Sequence, residues 1–340
     1  MFKKLKYVFC AMALGLLLTS AASWSASTLT GAGATFPYPI YSKWFDAYEK
    51  ITGVRINYQS IGSGAGIQQI KSHTIDFGAS DAPLSNEEVR SMPAPVVHIP
   101  TVAGAVVITY NVKGVTAGLK LTPEIVSGMF LGKIKKWDDS AIRKLNPRMR
   151  LPRTPIYVAH RSDGSGTSFI FTNYLAAVNR QWKTEVGAGK SVRWPVGIGG
   201  KGNEGVAGIV KQTPGAMGYV ELAYAVQNHL PYAQLRNRSG QFIMPTIETT
   251  TLAAMGGVAA MKKDVRTLVV NSPTKGAYPI VGFTYILLYK NQGNSAKGRE
   301  LVKFLRWAMR DGQKMAKPLL YAPLPAKVAA INIAALKSIR

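Results

Sequence analysis

Apolar residues recur along the chain with two different periods, and their alternation predicts an α/β protein. Ile40, Trp44 and Tyr48 follow the helical period, and Gly53 is a typical end for that helix. Shorter stretches alternate, or are continuously apolar, as in buried strands. The predicted helices lie at residues 40–51, 66–73, 167–178, 295–314 and 326–339. The predicted strands lie at residues 54–58, 75–79, 102–110, 156–159 and 279–289.

The N-terminal residues 1–26 have the three parts of a secretory signal peptide. A cationic start that contains Lys3, Lys4 and Lys6 is followed by an apolar run and then by small residues. The run is too short for a permanent membrane-spanning helix, and we expect cleavage between residues 23 and 28. Cys10, the single cysteine, lies inside this segment, so the mature chain contains neither a disulfide nor a thiolate metal site.

The composition limits the class of molecule that the protein can bind, without identifying it. The 340 residues are enough for two domains, and 42 basic against 17 acidic residues give a net charge of +25. Removal of the signal peptide lowers this charge to +22, since it takes away three lysines and no acid. Because the basic residues are spread thinly rather than clustered, we do not expect nucleic-acid binding. The charge predicts an anionic partner or environment.

Three glycine-rich turns, at residues 30–37, 60–66 and 161–168, each precede a predicted helix. Each turn places hydroxyl side chains and exposed backbone N–H groups at a helix N-terminus. Unpaired N–H donors and the helix dipole attract anions there. Any one turn is also typical of ordinary helix capping, but the three together favour an anion site.

Two charged residues stand beside these turns. Arg161 has the planar fork of donors that suits an oxyanion, and Asp163, two residues later, could hold that fork in place. Asp81 follows a predicted buried strand and is either a turn residue or part of the site. In an anion site its carboxylate would need an anion that carries a proton. Protonated phosphate can donate to it, whereas fully ionised sulfate would be repelled.

No other motif in the sequence assembles a catalytic or cofactor site. Residues 197–202 match G-x-G-x-x-G, but no acidic residue follows at the dinucleotide spacing. His73, His98 and His229 lack the spacing of metal ligands. We therefore expect a protein that is not an enzyme and that needs no cofactor and no metal.

Over nearly the whole mature chain, the sequence resembles the periplasmic phosphate-binding proteins of bacterial high-affinity phosphate ABC importers. The motifs that carry the resemblance are residues 29–37 (LTGAGATFP), 58–64 (YQSIGSG), 75–85 (IDFGASDAPLS), 131–139 (LGKIKKWDD), 161–168 (RSDGSGTS) and 195–203 (PVGIGGKGN). Residues 86–97 and 238–275 depart most from the family pattern, and they lie outside these motifs.

The resemblance implies a role for nine residues. A bound phosphate would accept hydrogen bonds from the backbone N–H groups of Thr35, Phe36 and Ser63. It would also accept from the hydroxyl groups of Thr35 and Ser63. Asp81 would accept the proton of the phosphate, and Arg161 would make the charged contact while Asp163 holds it. The third helix would complete the site with Ser165, Gly166 and Thr167.

The resemblance also implies a bilobed fold with two discontinuous α/β lobes and the ligand in the cleft. Lobe one would comprise residues 27–104 and 282–340, and lobe two residues 105–281. A monomeric periplasmic carrier would bind hydrogen phosphate and deliver it to membrane permease subunits that work with a cytoplasmic ATPase. The alternatives are a carrier for another tetrahedral oxyanion, such as sulfate or molybdate, and a secreted phosphohydrolase.

Overall fold

The structure, a computed structural model, describes residues 28–116, 118–293 and 295–340. The predicted signal peptide lies outside the described residues. The strands are β1 (Leu29–Gly33), β2 (Ile56–Ser60), β3 (Phe77–Ser80), β4 (Val96–Tyr110), β5 (Lys120–Leu121), β6 (Tyr157–Arg161), β7 (Ile198–Gly200), β8 (Ala216–Glu221), β9 (Gln234–Arg236), β10 (Phe242–Ile243) and β11 (Val281–Tyr289).

The helices flank these strands. They are α1 (Tyr38–Thr52), α2 (Ser63–Lys71), α3 (Asn86–Arg90), α4 (Pro123–Phe130), α5 (Ser140–Leu145), α6 (Gly166–Val178), α7 (Arg180–Glu185), α8 (Gly202–Gln212), α9 (Leu222–Gln227), α10 (Ile247–Gly256), α11 (Val258–Met261), α12 (Ala296–Ala308) and α13 (Ala326–Lys337). Short 3-10 helices follow α12 at Gly312–Met315 and Lys317–Leu319. Across the described ranges, no helix is both long and apolar enough to cross a membrane.

Each of the ten predicted elements corresponds to a helix or strand of the structure, and two of them differ notably in length. The helix predicted at residues 295–314 ends at Ala308. Beyond it, Gly312 lies against the indole of Trp44, whose Nε1 donates to the Gly312 carbonyl at 2.8 Å. The strand predicted at residues 102–110 begins earlier, at Val96, and continues through Pro100, which pairs with Tyr285 beside a register shift in β11. Such irregularities are where strands tolerate proline.

One eight-stranded sheet organises the molecule, in the order β2-β1-β3-β11-β4-β8-β6-β7. The strands β1, β2 and β3 are parallel to one another, and so are β6, β7 and β8. Between these two groups, β11 is antiparallel to β3 and to β4, and β4 is antiparallel to β8. The fold is mixed α/β, as predicted, and a small second sheet has the order β10-β9-β5.

The two parallel groups run in opposite directions, and their carboxyl ends face each other across the middle of β4. Ser80, the end of β3, pairs with Tyr285, which pairs in turn with Pro100. Glu221, the end of β8, pairs with Val106. Because ligands of open α/β sheets bind beyond the carboxyl ends of parallel strands, a ligand between the two groups would be reached from both.

The strand β4 belongs to both halves of the sheet. Its residues 96–105 pair with β11, and its residues 106–110 pair with β8. The chain therefore passes from one half of the sheet to the other inside a strand, without a linker. The division into lobes after residues 104 and 281 stays a prediction.

Candidate anion-binding site

The residues singled out by the sequence converge at the facing carboxyl ends of the two parallel groups. Thr35 and Phe36 follow β1, Ser63 begins α2 after β2, and Asp81 follows β3. From the other half, Arg161 ends β6, and residues 165–167 form the N-terminus of α6. Side chains far apart in sequence thus meet because each lies where its strand ends.

A bidentate ion pair is the charged centre of this region. Arg161 Nε donates to Asp163 Oδ1 at 2.7 Å, and Nη2 donates to Oδ2 at 2.6 Å. The Arg161 side chain is 1% exposed, and the backbone N–H of Gly202 also donates to Asp163, at 3.0 Å. Burial raises the pKa of Asp163, but the hydrogen bonds and charge of Arg161 outweigh it and hold that pKa below its usual value. The pair fixes the plane of the guanidinium group, as the sequence suggested.

Asp81 is a buried carboxyl group with one oxygen, Oδ1, that has no hydrogen-bond partner among the described residues. The residue is 3% exposed, and its Oδ1 has no hydrogen bond of good geometry to any of them. Burial raises the pKa of Asp81 from 3.8 to about 7, although the Thr284 hydroxyl and the Arg161 guanidinium lower it. A buried acceptor without a partner is costly, so this group is suited to a ligand that donates a hydrogen bond.

The raised pKa of Asp81 predicts a pH-dependent stability. In the absence of ligand, the unfolding free energy of the wild type relative to Asp81→Asn is expected to fall as the pH rises. The folded state binds the Asp81 proton more tightly than the unfolded chain does. The resulting stabilisation of the folded state is complete below pH 3.8 and is lost as the pH rises through about 7. Urea unfolding of both proteins at about pH 4, 6 and 8 measures the difference. A difference that does not vary with pH would contradict the prediction.

Ser63 joins the two halves directly. Its hydroxyl oxygen accepts hydrogen bonds from the N–H groups of Asp81, at 3.2 Å, and Gly166, at 3.1 Å. Beside it, the N–H of Gly64 donates to the Gly164 carbonyl at 2.7 Å. The contact is tight, because a Cβ on Gly64 would lie 3.1 Å from the Gly164 Cα. The two glycine-rich turns therefore touch backbone to backbone, and the two halves are closed on each other.

The carbonyl groups of Thr35 and Phe36 are held by two tyrosines. Tyr224, in α9, donates its hydroxyl proton to the Thr35 carbonyl at 2.6 Å, and Tyr321 donates to the Phe36 carbonyl at 2.6 Å. Both tyrosines are buried. Carbonyl oxygens near an anion are repulsive, so these two hydrogen bonds stabilise a conformation in which the segment can direct its N–H groups to a ligand.

The α6 residues have distinct structural roles. The Ser165 hydroxyl oxygen caps the helix by accepting from the Ser168 N–H at 2.9 Å. The Thr167 hydroxyl oxygen accepts from Arg161 Nη1 at 3.4 Å, and Thr167 is fully buried. Gly166 packs so closely that a Cβ there would lie 2.5 Å from both Asp81 Oδ2 and Ser63 Oγ. All nine predicted residues therefore lie in one cluster, in which only Asp163 is partly exposed, and their contacts with a ligand stay a prediction.

Sequence reasoning missed Asn203, which lies in the same cluster. It is fully buried near the start of α8, and its side-chain amide nitrogen donates to Thr35 Oγ1 at 2.7 Å and to Thr167 Oγ1 at 3.0 Å. The available signal was the glycine-rich segment at residues 197–202, which Asn203 directly follows. The last residue of that segment, Gly202, begins α8.

The cluster is therefore built to present hydrogen-bond donors. The N-termini of α2, α6 and α8 and the Arg161 fork bring N–H donors into the cluster, and Asp81 Oδ1 supplies an acceptor. Some of these donors are already used within the protein: the Gly166 N–H donates to Ser63, and the Asn203 N–H donates to Thr35. Because Asp163 offsets the charge of Arg161, a bound anion would be held by the guanidinium group and the helix dipoles together, in a site with little net charge. Such a site suits an oxyanion that carries one proton.

Comparison with known proteins agrees with this geometry. Residues 19–311 match the model of the PBP superfamily domain. The phosphate-binding protein PstS of Xylella fastidiosa (strain Temecula1) is 46% identical over 307 residues, which are 90% of this chain and 84% of that protein. PstS of Pasteurella multocida is 47% identical over 320 residues, which are 94% of this chain and 92% of that protein.

Solved structures share the fold at lower identity. A high-affinity periplasmic phosphate-binding protein named PfluDING, solved with bound phosphate, has a TM-score of 0.71 at 21% identity, over 90% of this chain and 93% of that one. A phosphate-binding protein from Stenotrophomonas maltophilia has a TM-score of 0.68 at 20% identity, over 91% and 94% of the two chains. At these identities the likeness establishes the bilobed architecture alone.

Proposed function

The chain belongs to the PBP superfamily and, within it, to the PstS family of phosphate-binding proteins, and from that premise we propose that it binds hydrogen phosphate for uptake. The ligand would lie between the two parallel groups of strands. Delivery would be to the permease subunits of an ABC importer in the membrane. Export by a cleavable signal peptide would bring the carrier to the periplasm.

One observation carries the choice of ligand: a buried carboxyl oxygen without a partner lies among hydrogen-bond donors. Asp81 Oδ1 is that oxygen; the donors of its cluster include the Arg161 guanidinium group, which Asp163 holds, and the Gly166 N–H, which donates to Ser63 in this structure. Hydrogen phosphate offers three acceptor oxygens and one O–H donor. Sulfate is fully ionised, and above pH 7, where Asp81 is itself mostly ionised, it would leave the carboxylate unpaired beside a second negative charge.

We propose a carrier that does not turn its ligand over. The relatives that the chain matches are named as binding proteins. The hydroxyls of Ser63, Thr35 and Thr167 accept hydrogen bonds from N–H donors, and none of them has a histidine or carboxylate partner within the described ranges. Without a neighbouring base, these hydroxyls lack the activation that a nucleophile needs.

Calorimetric titration of the mature protein with phosphate and sulfate tests the proposal. We expect the wild type to bind phosphate at least about a hundredfold more tightly than sulfate, because sulfate leaves Asp81 unpaired. Asp81→Asn replaces the acceptor with an amide that can donate, and is expected to reduce this ratio at least tenfold. Asp46→Asn, an exposed change in α1, is the control and is expected to leave the ratio unchanged.

Two outcomes would contradict the proposal. Sulfate binding as tight as phosphate binding in the wild type would refute the role of Asp81 as proton acceptor. Hydrolysis of a phosphomonoester by the purified protein, with a rate that follows the protein concentration, would refute the carrier.

A further inference from the structure

Asn203 uses every polar atom of its side chain in hydrogen bonds with three separate segments. Its Nδ2 group has two protons, and these meet Thr35 Oγ1 at 2.7 Å and Thr167 Oγ1 at 3.0 Å. Its Oδ1 accepts from the N–H of Glu221 at 2.9 Å. Because a backbone N–H can only donate, Glu221 fixes which end of the amide is oxygen, and the NH₂ group must face the two threonines.

The Thr35 hydroxyl can act towards any further group only as a hydrogen-bond donor. Its oxygen accepts from Nδ2 and, at 3.1 Å, from the backbone N–H of Asn203. A hydroxyl oxygen has two lone pairs, so both are occupied by this one residue. The hydroxyl proton is then free only to donate to a further group.

The hydroxyl oxygen of Thr167 also accepts two hydrogen bonds. It accepts from Asn203 Nδ2 and from Arg161 Nη1, at 3.4 Å. Thr167 is fully buried and Thr35 is 2% exposed, so bulk water does not reach the hydroxyl proton of either residue. The Thr35 hydroxyl is thus set as a donor by Asn203 alone, and the Thr167 hydroxyl by Asn203 together with Arg161.

We propose that Asn203 is a positioning residue that determines specificity: it fills both acceptor positions of Thr35 and, together with Arg161, those of Thr167, so that both hydroxyls can only donate to a ligand that accepts hydrogen bonds. The inference rests on the proposed function and deepens it. The site selects hydrogen phosphate because, among the described residues of the cluster, Asp81 is the one position where an O–H group of the ligand finds an acceptor. Asn203 also contacts Thr35 across the boundary between the two halves of the sheet. Its hydrogen bonds with Thr35 therefore form together with the closed arrangement, whereas those with Thr167 and Glu221 lie within one half.

The test is a mutant cycle that links Asn203 to the two hydroxyls. Phosphate affinity is measured by calorimetry for the wild type, Asn203→Ala, the double variant Thr35→Val/Thr167→Val, and the triple variant. Asn203→Ala is expected to weaken binding about 30-fold, since the freed hydroxyls can rotate away from the ligand. In the double-valine background the same change is expected to cost less than about threefold, because the groups through which Asn203 acts are gone.

Asn203→Asp is a second variant with the same shape. A carboxylate accepts hydrogen bonds, so the threonine protons would turn to it and away from the ligand, and its charge would repel the anion. We expect a loss of phosphate affinity larger than that of Asn203→Ala. Asn237→Ala is the matched control: Asn237 is a buried asparagine that donates to the Ala277 carbonyl, and its loss is expected to leave phosphate affinity within about twofold.

The outcomes separate this inference from the proposed function. If the wild type does not bind phosphate, the proposed function fails. If it binds and Asn203→Ala binds equally well, the inference alone is overturned. It is overturned as well if Asn203→Ala costs the same factor in the double-valine background as in the wild type, because Asn203 would then act by another route. A purely structural role predicts that Asn203→Ala and Asn203→Asp lower affinity only in proportion to the loss of melting temperature.

Discussion

Arg161→Ala is expected to weaken phosphate binding about a thousandfold, corresponding to about 4 kcal/mol. The change removes the only charged donor that the cluster offers among the described residues. It also leaves Asp163, which is 13% exposed at its side chain, without its bidentate partner beside the ligand. A neutral pair would become a single negative charge close to the anion, so both the lost attraction and the new repulsion reduce affinity.

Calorimetry with phosphate measures this loss, and urea unfolding in the absence of phosphate reports how much stability is lost with it. Arg161→Lys is the second variant: it keeps the charge but not the fork, and we expect it to fold and to bind with intermediate affinity. Arg153→Ala is the matched control, because Arg153 is 89% exposed in its ion pair with Asp138. Binding by Arg161→Ala within about tenfold of the wild type would contradict a direct charged contact.

Gly166→Ala is expected to have the second largest effect, a loss of phosphate affinity of about a hundredfold. An added Cβ would lie 2.5 Å from Asp81 Oδ2 and from Ser63 Oγ and 2.6 Å from Asp81 Cβ, far inside van der Waals contact. Relief would require the two halves to move apart or the Asp81 carboxyl to turn, and overpacking of this kind costs about 1–3 kcal/mol. Either movement would shift the acceptor for the phosphate proton and break the hydrogen bond from the Gly166 N–H to Ser63.

Gly208→Ala is the control for this change, because Gly208 also lies in a helix and a Cβ there would meet nothing within 4 Å. Alanine favours a helix over glycine, so we expect Gly208→Ala to raise stability slightly and to leave phosphate affinity unchanged. Small-angle scattering of Gly166→Ala with saturating phosphate tests the structural cause, with an expected larger radius of gyration than the wild type. A wild-type affinity for Gly166→Ala would show that the close packing at this glycine is not needed for binding.

Most of the predicted cluster could be identified from the sequence because its residues lie in local motifs. A hydroxyl and a glycine before a helix indicate a helix N-terminus wherever they occur, and Arg161 and Asp163 are near enough in sequence to suggest a pair. Their assembly in one place then follows from a general property of α/β sheets, in which the carboxyl ends of parallel strands form the binding edge.

Asn203, Tyr224 and Tyr321 could not be predicted in the same way. Their contacts with Thr35, Thr167 and the Phe36 carbonyl join residues between 36 and 285 positions apart. A tyrosine that donates to a backbone carbonyl has no sequence signature, because the same residue fills an ordinary core. Likewise, α12 ends at Ala308, and Gly312 beyond it contacts Trp44, a residue 268 positions away that the local apolar pattern does not include.

The single strand β4 that serves both halves of the sheet also bears on how the protein can diversify. A half cannot be exchanged for that of a relative without breaking and resealing the chain inside β4, and the chain returns at β11, which pairs along residues 96–105 of β4. Recombination would have to match hydrogen-bond register at both strands at once, whereas a point substitution in the buried cluster changes no backbone pairing. New ligand preferences in this architecture are therefore expected to arise by replacement of a few polar side chains rather than by the shuffling of halves.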